Sequence, residues 1–316
     1  MGTPWFWIGF NAFVLAAIAL DLGVFNRRAR EIRLREAAVW TAVWAALAVL
    51  FGLGILRWYG GQRALEYFTG YIIEQSLSVD NLFIFLILFR TFHVEPRYRQ
   101  RVLGWGILGA LVMRAMMIVA GTALIRSFSW VLYLFGAFLL YAGAHMLFAK
   151  EREMHPEQSP VFQFASQRLR MTKGFRAERF FVREGGRRLA TPLFLVLLVV
   201  EITDVTFALD SIPAVFGITR DPFIVYTSNV FAILGLRSLY FLLAGVLQYF
   251  RFLSTGLSFV LLFIGAKMLA EPWLHVPAPA ALGVVAGILA VALAASWLAG
   301  PAKIEPAPTH PGNSDD

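Results

Sequence analysis

The stretch from Leu193 to Phe216 reads L-F-L-V-L-L-V-V-E-I-T-D-V-T-F-A-L-D-S-I-P-A-V-F and decides how the rest of the chain is understood. It is long and apolar enough to span a bilayer, which needs roughly 20 residues at about 1.5 Å of rise each. It nevertheless carries three carboxylates, Glu201, Asp204 and Asp210. Each charge at a membrane centre costs roughly 2.5–3.5 kcal/mol on an insertion scale. Three of them in one span predict a function that requires buried acids.

A second apolar span, Tyr67–Phe89, repeats this acidic pattern. It contains E-Q-S-L-S-V-D-N from Glu74 to Asn81, whereas the first span contains D-V-T-F-A-L-D-S from Asp204 to Ser211. Both segments place an acid, five residues, a second acid and a small polar side chain in the same order. The shared spacing predicts that the two spans together form the functional centre.

Composition assigns the chain to the polytopic membrane proteins. Hydrophobic residues make up 59% of the 316 residues, charged residues make up 15%, and the mean hydropathy is +0.67. The chain has no cysteine, which excludes disulfides and thiolate metal sites. A net charge of +8 would suggest nucleic acid in a soluble protein, but here the basic residues concentrate between the spans. We therefore expect no nucleic-acid partner.

The hydropathy pattern predicts nine spans in a single transmembrane domain, residues 1–300, followed by a disordered tail, residues 301–316. The spans lie at about residues 5–25, 37–56, 67–89, 102–124, 128–148, 193–217, 223–247, 253–270 and 279–298. The first, third and fifth loops are rich in basic residues, whereas the even-numbered loops hold only Arg57, Arg63, Arg126 and Arg220. Because short basic loops stay in the cytoplasm, the N-terminus is predicted outside and the C-terminus inside.

The fifth loop, residues 149–191, is predicted to lie in the cytoplasm. Between Lys150 and Thr191 it holds ten basic residues mixed with phenylalanines, a composition suited to contact with anionic lipid headgroups. Docking of a regulatory protein is the alternative. Within this loop, the segment Phe180–Leu189 predicts a small hairpin, because Gly185-Gly186 is a turn signal.

An internal repeat follows from three matches in the same order. After the acidic segments, Arg114 in span four matches Arg237 in span seven, and G-A-H-M-L from Gly143 matches G-A-K-M-L from Gly265. These matches predict two three-helix units, spans 3–5 and spans 6–8. Span three runs inwards and span six runs outwards, so the units are antiparallel. Inverted repeats with acids near the midplane are typical of transporters.

Acids outnumber bases inside the spans, and such a site favours a cation or protons. The acids are Asp21, Glu74, Asp80, Glu201, Asp204 and Asp210; the bases are Arg114 and Arg237, with Lys267 nearer a span end. Carboxylates with Asn, Ser and carbonyl oxygens, and without thiolates, suit Mn²⁺, Mg²⁺ or Ca²⁺ rather than Cu⁺ or Zn²⁺. Carboxylates that take up protons when the metal leaves would couple its export to proton entry.

Acids six residues apart, such as Glu74 and Asp80, lie about 240° apart on an unbroken helix and do not share a face. A break in the helix would let both acids turn towards one point. Pro213 cannot donate to the carbonyl of Leu209 and disfavours helical geometry at Ile212. Ser76 and Ser78 offer a weaker break by competing for backbone groups. We therefore expect an interruption in both acidic helices.

Two plainer roles for the buried charges stay open. The acids could pair with Arg114 and Arg237 as structural bridges, although this is hard to extend to all six. Asp21 could be a helix-end residue beside Arg27 and Arg28.

These motifs resemble the TerC family of integral membrane proteins, the group named for tellurium resistance that includes the alkali-inducible manganese exporters. The resemblance extends over about residues 1–270 and is carried by Glu74–Phe83, Glu201–Ala214, Asn229–Arg237, Phe181–Pro192 and Ala19–Gly23. It implies a helical fold of about nine spans, related to small-solute exporters, with manganese export as the activity. A role in tellurite resistance stays open.

Pattern and resemblance together predict an all-α secondary transporter in the inner (plasma) membrane that exports divalent metal, Mn²⁺ first, in exchange for protons. The predicted metal site comprises Glu74, Asp80, Asn81, Asp204, Asp210 and Ser211. Proton coupling or support of these ligands is assigned to Asp21, Glu201, Arg114, Arg237 and Asn229, with Glu201 also open as a ligand. We expect no enzymatic activity and no permanently bound cofactor, and homodimerisation stays open. The alternative is a non-transporting membrane scaffold of a stress-response or secretion complex.

Overall fold

The computed structural model describes residues 4–25, 34–92, 94–128, 130–148, 172, 174, 176, 179–184, 187–244 and 252–300. These residues form one hairpin and nine helices: α1 (Pro4–Phe25), α2 (Leu34–Tyr59), α3 (Gly61–Thr91), α4 (Pro96–Ser127), α5 (Val131–Phe148), α6 (Pro192–Phe216), α7 (Pro222–Leu243), α8 (Leu253–Ala270) and α9 (Ala278–Ala299). Each predicted span corresponds to one helix, so the all-α polytopic class is confirmed. The basic stretch 149–171 and the tail 301–316 lie outside the described residues.

Length and composition agree with a membrane location. Eight of the described helices, α2 to α9, are long and apolar enough to cross a bilayer, and α1 contributes a shorter apolar stretch, Pro4–Leu20. The chain is therefore a multi-pass membrane protein.

Proline fixes the start of several helices. Pro96, Pro192 and Pro222 stand in the first turn of α4, α6 and α7, where a missing N–H is tolerated and the fixed φ suits the helix. Before α7, the Asp221 side chain accepts a hydrogen bond from the Phe223 amide at 2.9 Å, which satisfies one of the free N–H groups. Local sequence therefore sets these helix boundaries.

The predicted hairpin is confirmed immediately before the acidic helix α6. Strands β1 (Phe181–Glu184) and β2 (Arg187–Ala190) pair antiparallel, with Phe181 opposite Ala190. The Thr191 hydroxyl donates to the Arg179 carbonyl at 2.7 Å and ties the hairpin to the start of α6.

Helix α7 lies at the centre of the bundle. In the apolar stretch of α7, 100% of the residues are buried, whereas the share is 22% in α2 and 28% in both α5 and α9. It packs against α2, α3 and α4, while α6 packs against α3 and α4. The helices α3, α4, α6 and α7 therefore enclose the interior in which the site residues lie.

Helices α5 and α8 approach each other closely through glycines. A Cβ on Gly143 would lie 2.9 Å from the carbonyl oxygen of Ser258, and one on Gly265 would lie 2.8 Å from that of Gly136. Ser258 follows Gly136 by the same 122 residues that separate Gly265 from Gly143. A reciprocal contact of this kind is what an inverted repeat would produce, and the repeat itself stays a prediction.

Candidate functional site

Arg114 joins the two acidic helices in the interior of the bundle. Its Nη1 donates to Glu74 Oε2 on α3 at 2.7 Å, and its Nη2 and Nε donate to the two Asp204 carboxylate oxygens on α6, each at 3.3 Å. The Ser211 hydroxyl, two turns beyond Asp204, lies 3.4 Å from Nη1. One guanidinium from α4 therefore binds both of the acids that the sequence pattern matched.

Asn229 connects the central helix α7 to the same cluster. Its Nδ2 donates to Glu74 Oε1 at 2.6 Å, so both oxygens of that carboxylate accept hydrogen bonds. The other amide atom, Asn229 Oδ1, is buried without a hydrogen-bond partner. The cluster of Glu74, Arg114, Asp204, Ser211 and Asn229 is called the interior network below.

The interior network is withdrawn from solvent and lies near the middle of its helices. Glu74 is 0% exposed, and Arg114 and Asp204 are each 3% exposed. Removing one partner from such a buried ion pair typically destabilises a protein by roughly 3–5 kcal/mol, because the other charge is left uncompensated. These ionic contacts therefore hold α3, α4 and α6 together.

The predicted helix interruptions are wrong. Helix α6 continues through Pro213 to Phe216, because a proline in the last turn withholds only one N–H, the one that would bond to the Leu209 carbonyl. Helix α3 continues through Ser76, whose hydroxyl donates to the Ile72 carbonyl at 2.7 Å without displacing a backbone bond. The unbroken helix α6 keeps Asp204 and Asp210 on different faces.

Asp210, six residues after Asp204 on α6, forms no hydrogen bond with the interior network. Its side chain is half-buried, and no hydrogen bond joins it to any other described residue. Through Arg114, the structure thus joins Glu74, Asp204 and Ser211 from the predicted metal site, and these hydrogen bonds do not include Asp210.

Glu201 lies one turn before Asp204 on α6 and faces α4. A Cβ added to Gly109 would overlap the Glu201 carboxylate, so this glycine makes the space that the acid occupies. Glu201 Oε2 is buried and has no hydrogen-bond partner. The acid is therefore enclosed by the helix that also carries Arg114 but is not joined to the interior network.

For the other predicted site residues, the structure gives the helix and, for two of them, the burial of the side chain. Asn81 on α3 and Arg237 on α7 are buried, each 3% exposed. Asp21 and Asp80 belong to α1 and α3, but their side chains lie outside the described part of the chain. The assignment of Asp80 to the predicted metal site therefore stays a prediction. Within the described residues, no three Asp, Glu, His or Cys side chains form a group that could hold a metal.

Residues 59–303 match the model of a family described as "Integral membrane protein TerC family". The chain belongs to the TerC family. The match includes all residues of the interior network as well as Glu201 and Asp210, so the acidic motifs lie within the part of the chain that defines this TerC protein.

Relatives along nearly the whole chain agree with this assignment. An uncharacterised membrane protein of Myxococcus xanthus is 47% identical over 298 residues, which cover 94% of this chain and 93% of that protein. The "Putative membrane-bound redox modulator Alx" of Escherichia coli K12 is 48% identical over 299 residues, covering 92% and 93% of the two chains. An uncharacterised membrane protein of Rickettsia felis is 35% identical, covering 92% and 96%. No solved structure matches this TerC protein.

The sequence interpretation missed a second charged cluster, at the turn between α6 and α7. Glu66 accepts from the Thr219 hydroxyl at 2.7 Å and from Arg63 at 2.8 Å. Lys267 donates to the Gly217 carbonyl at 2.8 Å and lies 3.7 Å from Glu271. These contacts border a pocket of about 150 Å³. We call five of its lining residues the turn network: Arg63, Glu66, Thr219, Lys267 and Glu271. The signal that could have found it is the pair of short-range charge spacings, i to i+3 and i to i+4.

Proposed function

We propose that this TerC protein is a secondary transporter of the inner membrane that exports divalent metal, Mn²⁺ first, in exchange for protons. It would act without enzymatic chemistry and with its N-terminus outside the cell. The observation that carries the proposal is the convergence of Glu74 and Asp204. These acids come from different helices and both bind Arg114 near the middle of the bundle. Because burying charges in a membrane span is costly, such residues indicate a functional site.

The donor atoms around this point suit a hard divalent cation. Glu74 and Asp204 supply carboxylate oxygens, Ser211 supplies a hydroxyl, and Asn229 Oδ1 is a buried amide oxygen without a partner. Oxygen-only sites of this kind favour Mn²⁺, Mg²⁺ or Ca²⁺. Asp80 and Asn81, which follow Glu74 on α3, are the residues we expect to add further ligands.

Charge balance favours transport over a scaffold role. Arg114 offsets only one of the two carboxylates that it binds. Helix α6 adds Glu201 and Asp210, and among the described residues neither forms an ion pair with a base. A scaffold explains an arginine between two acids, but it does not explain further acids within the same span. Carboxylates without a basic partner are available for protons when the metal leaves.

The name given to the Escherichia coli relative raises redox modulation as another role. Because this chain contains no cysteine, such a role could not use thiol–disulfide exchange on the chain itself. Control of metal content is a route that needs no thiol, which keeps the transport proposal in first place.

Reconstitution in proteoliposomes tests the proposal. Purified protein is inserted into vesicles that contain a metal-sensitive dye, and Mn²⁺, Mg²⁺, Ca²⁺ and Zn²⁺ are added outside with and without a pH gradient. We expect Mn²⁺ flux that a gradient of protons in the opposite direction accelerates, with a second dye reporting proton movement. Flux equal to that of empty vesicles for every ion would contradict transport and favour the scaffold.

A further inference from the structure

We propose that Arg114 is a built-in counter-cation that competes with the transported metal for Glu74 and Asp204 and moves to Glu201 when the metal binds. This inference rests on the proposed function and describes how its site is emptied and filled.

Arg114 occupies the atoms that a metal would use. Its N–H groups bind Glu74 Oε2 and both Asp204 oxygens. A divalent ion of the Ca²⁺ or Mn²⁺ type binds oxygens at about 2.0–2.6 Å and must lie between the carboxylates where the guanidinium now lies. Guanidinium and metal therefore exclude each other, by volume and by like charge.

The two ends of the arginine contact differ in strength. The bond to Glu74 is 2.7 Å, within the range of about 2.7–2.9 Å that charge-assisted N–H···O bonds prefer. Both bonds to Asp204 are 3.3 Å and therefore weaker. Asp204 is the acid from which the guanidinium separates first, and it is the acid nearest to Glu201 along α6.

Glu201 provides the second position. Its Oε2 is buried without a partner, and it stands three residues before Asp204, a spacing that puts the two Cβ atoms about 5–6 Å apart on one helix face. Gly109, on the same helix as Arg114, lets the Glu201 carboxylate lie directly against α4. After the move, the metal would neutralise Glu74 and Asp204, while Arg114 would neutralise Glu201.

Replacement of Arg114 by methionine gives the first test, because methionine keeps an unbranched stem and loses the charge. We expect Arg114→Met to bind Mn²⁺ about tenfold more tightly, equivalent to about 1.4 kcal/mol, since the competitor is gone. Mn²⁺ should also raise its melting temperature more than it raises that of the unaltered protein. The matched control is Lys267→Met, which removes a cation with a 9% exposed side chain that contacts Gly217 and Glu271 and belongs to the turn network, not to the interior network. Its Mn²⁺ affinity should not change.

Weaker or unchanged Mn²⁺ binding in Arg114→Met, with normal binding in the unaltered protein, overturns the counter-cation and leaves the transport proposal intact. No Mn²⁺ binding or flux in the unaltered protein removes the proposed function itself. If Arg114→Met is too unstable to purify, Arg114→Lys serves, because lysine keeps the charge but cannot span both acids. Its Mn²⁺ affinity should rise, and a fall overturns the inference.

A double-mutant cycle tests the second position. Glu201→Gln should weaken Mn²⁺ binding when Arg114 is present, because the displaced guanidinium then has no acid to join. In the Arg114→Met background the same change should have no effect on affinity. If Glu201→Gln weakens binding equally in both backgrounds, Glu201 acts on the metal directly and the arginine shift is wrong.

Discussion

The interior network and the turn network both pair acids with bases, but they are built differently. In the interior network, Arg114 binds acids that are 40 and 90 residues away in the sequence, and all three side chains are at most 5% exposed. In the turn network, Arg63 binds Glu66 three residues away, and its own side chain is 43% exposed. In the interior network the ion pairs themselves join separate helices, whereas in the turn network each ion pair lies within one helix and only the hydrogen bonds to Thr219 and Gly217 reach the α6–α7 turn.

The difference decides how much each network contributes. A pair close in sequence with one partner open to water, such as Arg63 with Glu66, is worth little more than the about 0.2–1 kcal/mol of an exposed pair, since water competes for the exposed charge. Breaking a buried pair costs roughly 3–5 kcal/mol. A buried ion pair that is so costly to break indicates that the charges are required for function. Mutations that compare the two networks therefore separate function from simple stabilisation.

The largest effect is expected for Glu74→Ala. The change removes the strongest partner of Arg114 and leaves the Asn229 amide without its acceptor, so the protein should lose both Mn²⁺ transport and roughly 3–5 kcal/mol of stability. Thermal unfolding in detergent measures the loss. Glu74→Gln keeps an oxygen for Asn229, so its unfolding temperature should lie between those of the unaltered protein and Glu74→Ala. Unaltered stability in Glu74→Ala would mean that the interior contacts contribute no more than exposed ones.

Asp210→Asn should abolish transport while leaving stability within about 0.5 kcal/mol, the usual range for a site without a structural partner. The reason is that Asp210 hydrogen-bonds to no described residue, while the proposed transport assigns its charge to the metal or to protons. Mn²⁺ flux and thermal unfolding are measured on the same preparation. An unstable variant, or a stable one with full transport, removes Asp210 from the site.

Much of this arrangement could be predicted from the sequence. Apolar runs and Arg-rich loops place the helices, because the cost of burying backbone and charge in lipid leaves few alternatives. The matched acids of α3 and α6 correctly pointed to Glu74 and Asp204 as interior partners. The six-residue spacing also shows on an unbroken helix that Asp204 and Asp210 point in different directions, and the structure keeps that geometry.

The rest depended on contacts between distant helices. Nothing local to Arg114 shows that its guanidinium lies between two acids, since that requires the rotations of α3, α4 and α6 about their axes. Pro213 misled the interpretation because a proline in the last helical turn removes a single bond that the helix can lose. The role of Gly109 could not be predicted from the sequence either, because it depends on the carboxylate of Glu201 on another helix.

A smaller effect is expected for Gly109→Ala. The added methyl overlaps the Glu201 carboxylate, which is the end of a flexible side chain and can move, so the loss of stability should lie at or below the lower end of the about 1–3 kcal/mol typical of overpacking. Transport should fall in parallel, because Glu201 is forced out of its space. Gly106→Ala on the same helix is the matched control, since its Cβ would meet Val200 at an ordinary 3.4 Å. Equal behaviour of the two variants in unfolding and flux assays would mean that the space at Gly109 has no special role.

The smallest effect is expected for Arg63→Ala in the turn network. Its pair with Glu66 is half-exposed, and Glu66 keeps the Thr219 hydroxyl as a second partner, so the loss should be about 0.2–1 kcal/mol. Salt should reduce the difference further, because mobile ions screen exposed charges. Thermal unfolding of both proteins at low and high salt measures this directly, with Mn²⁺ flux expected to stay unchanged. A loss as large as that of Glu74→Ala, insensitive to salt, would place the turn network in the same class as the interior one, and exposure would then no longer distinguish them.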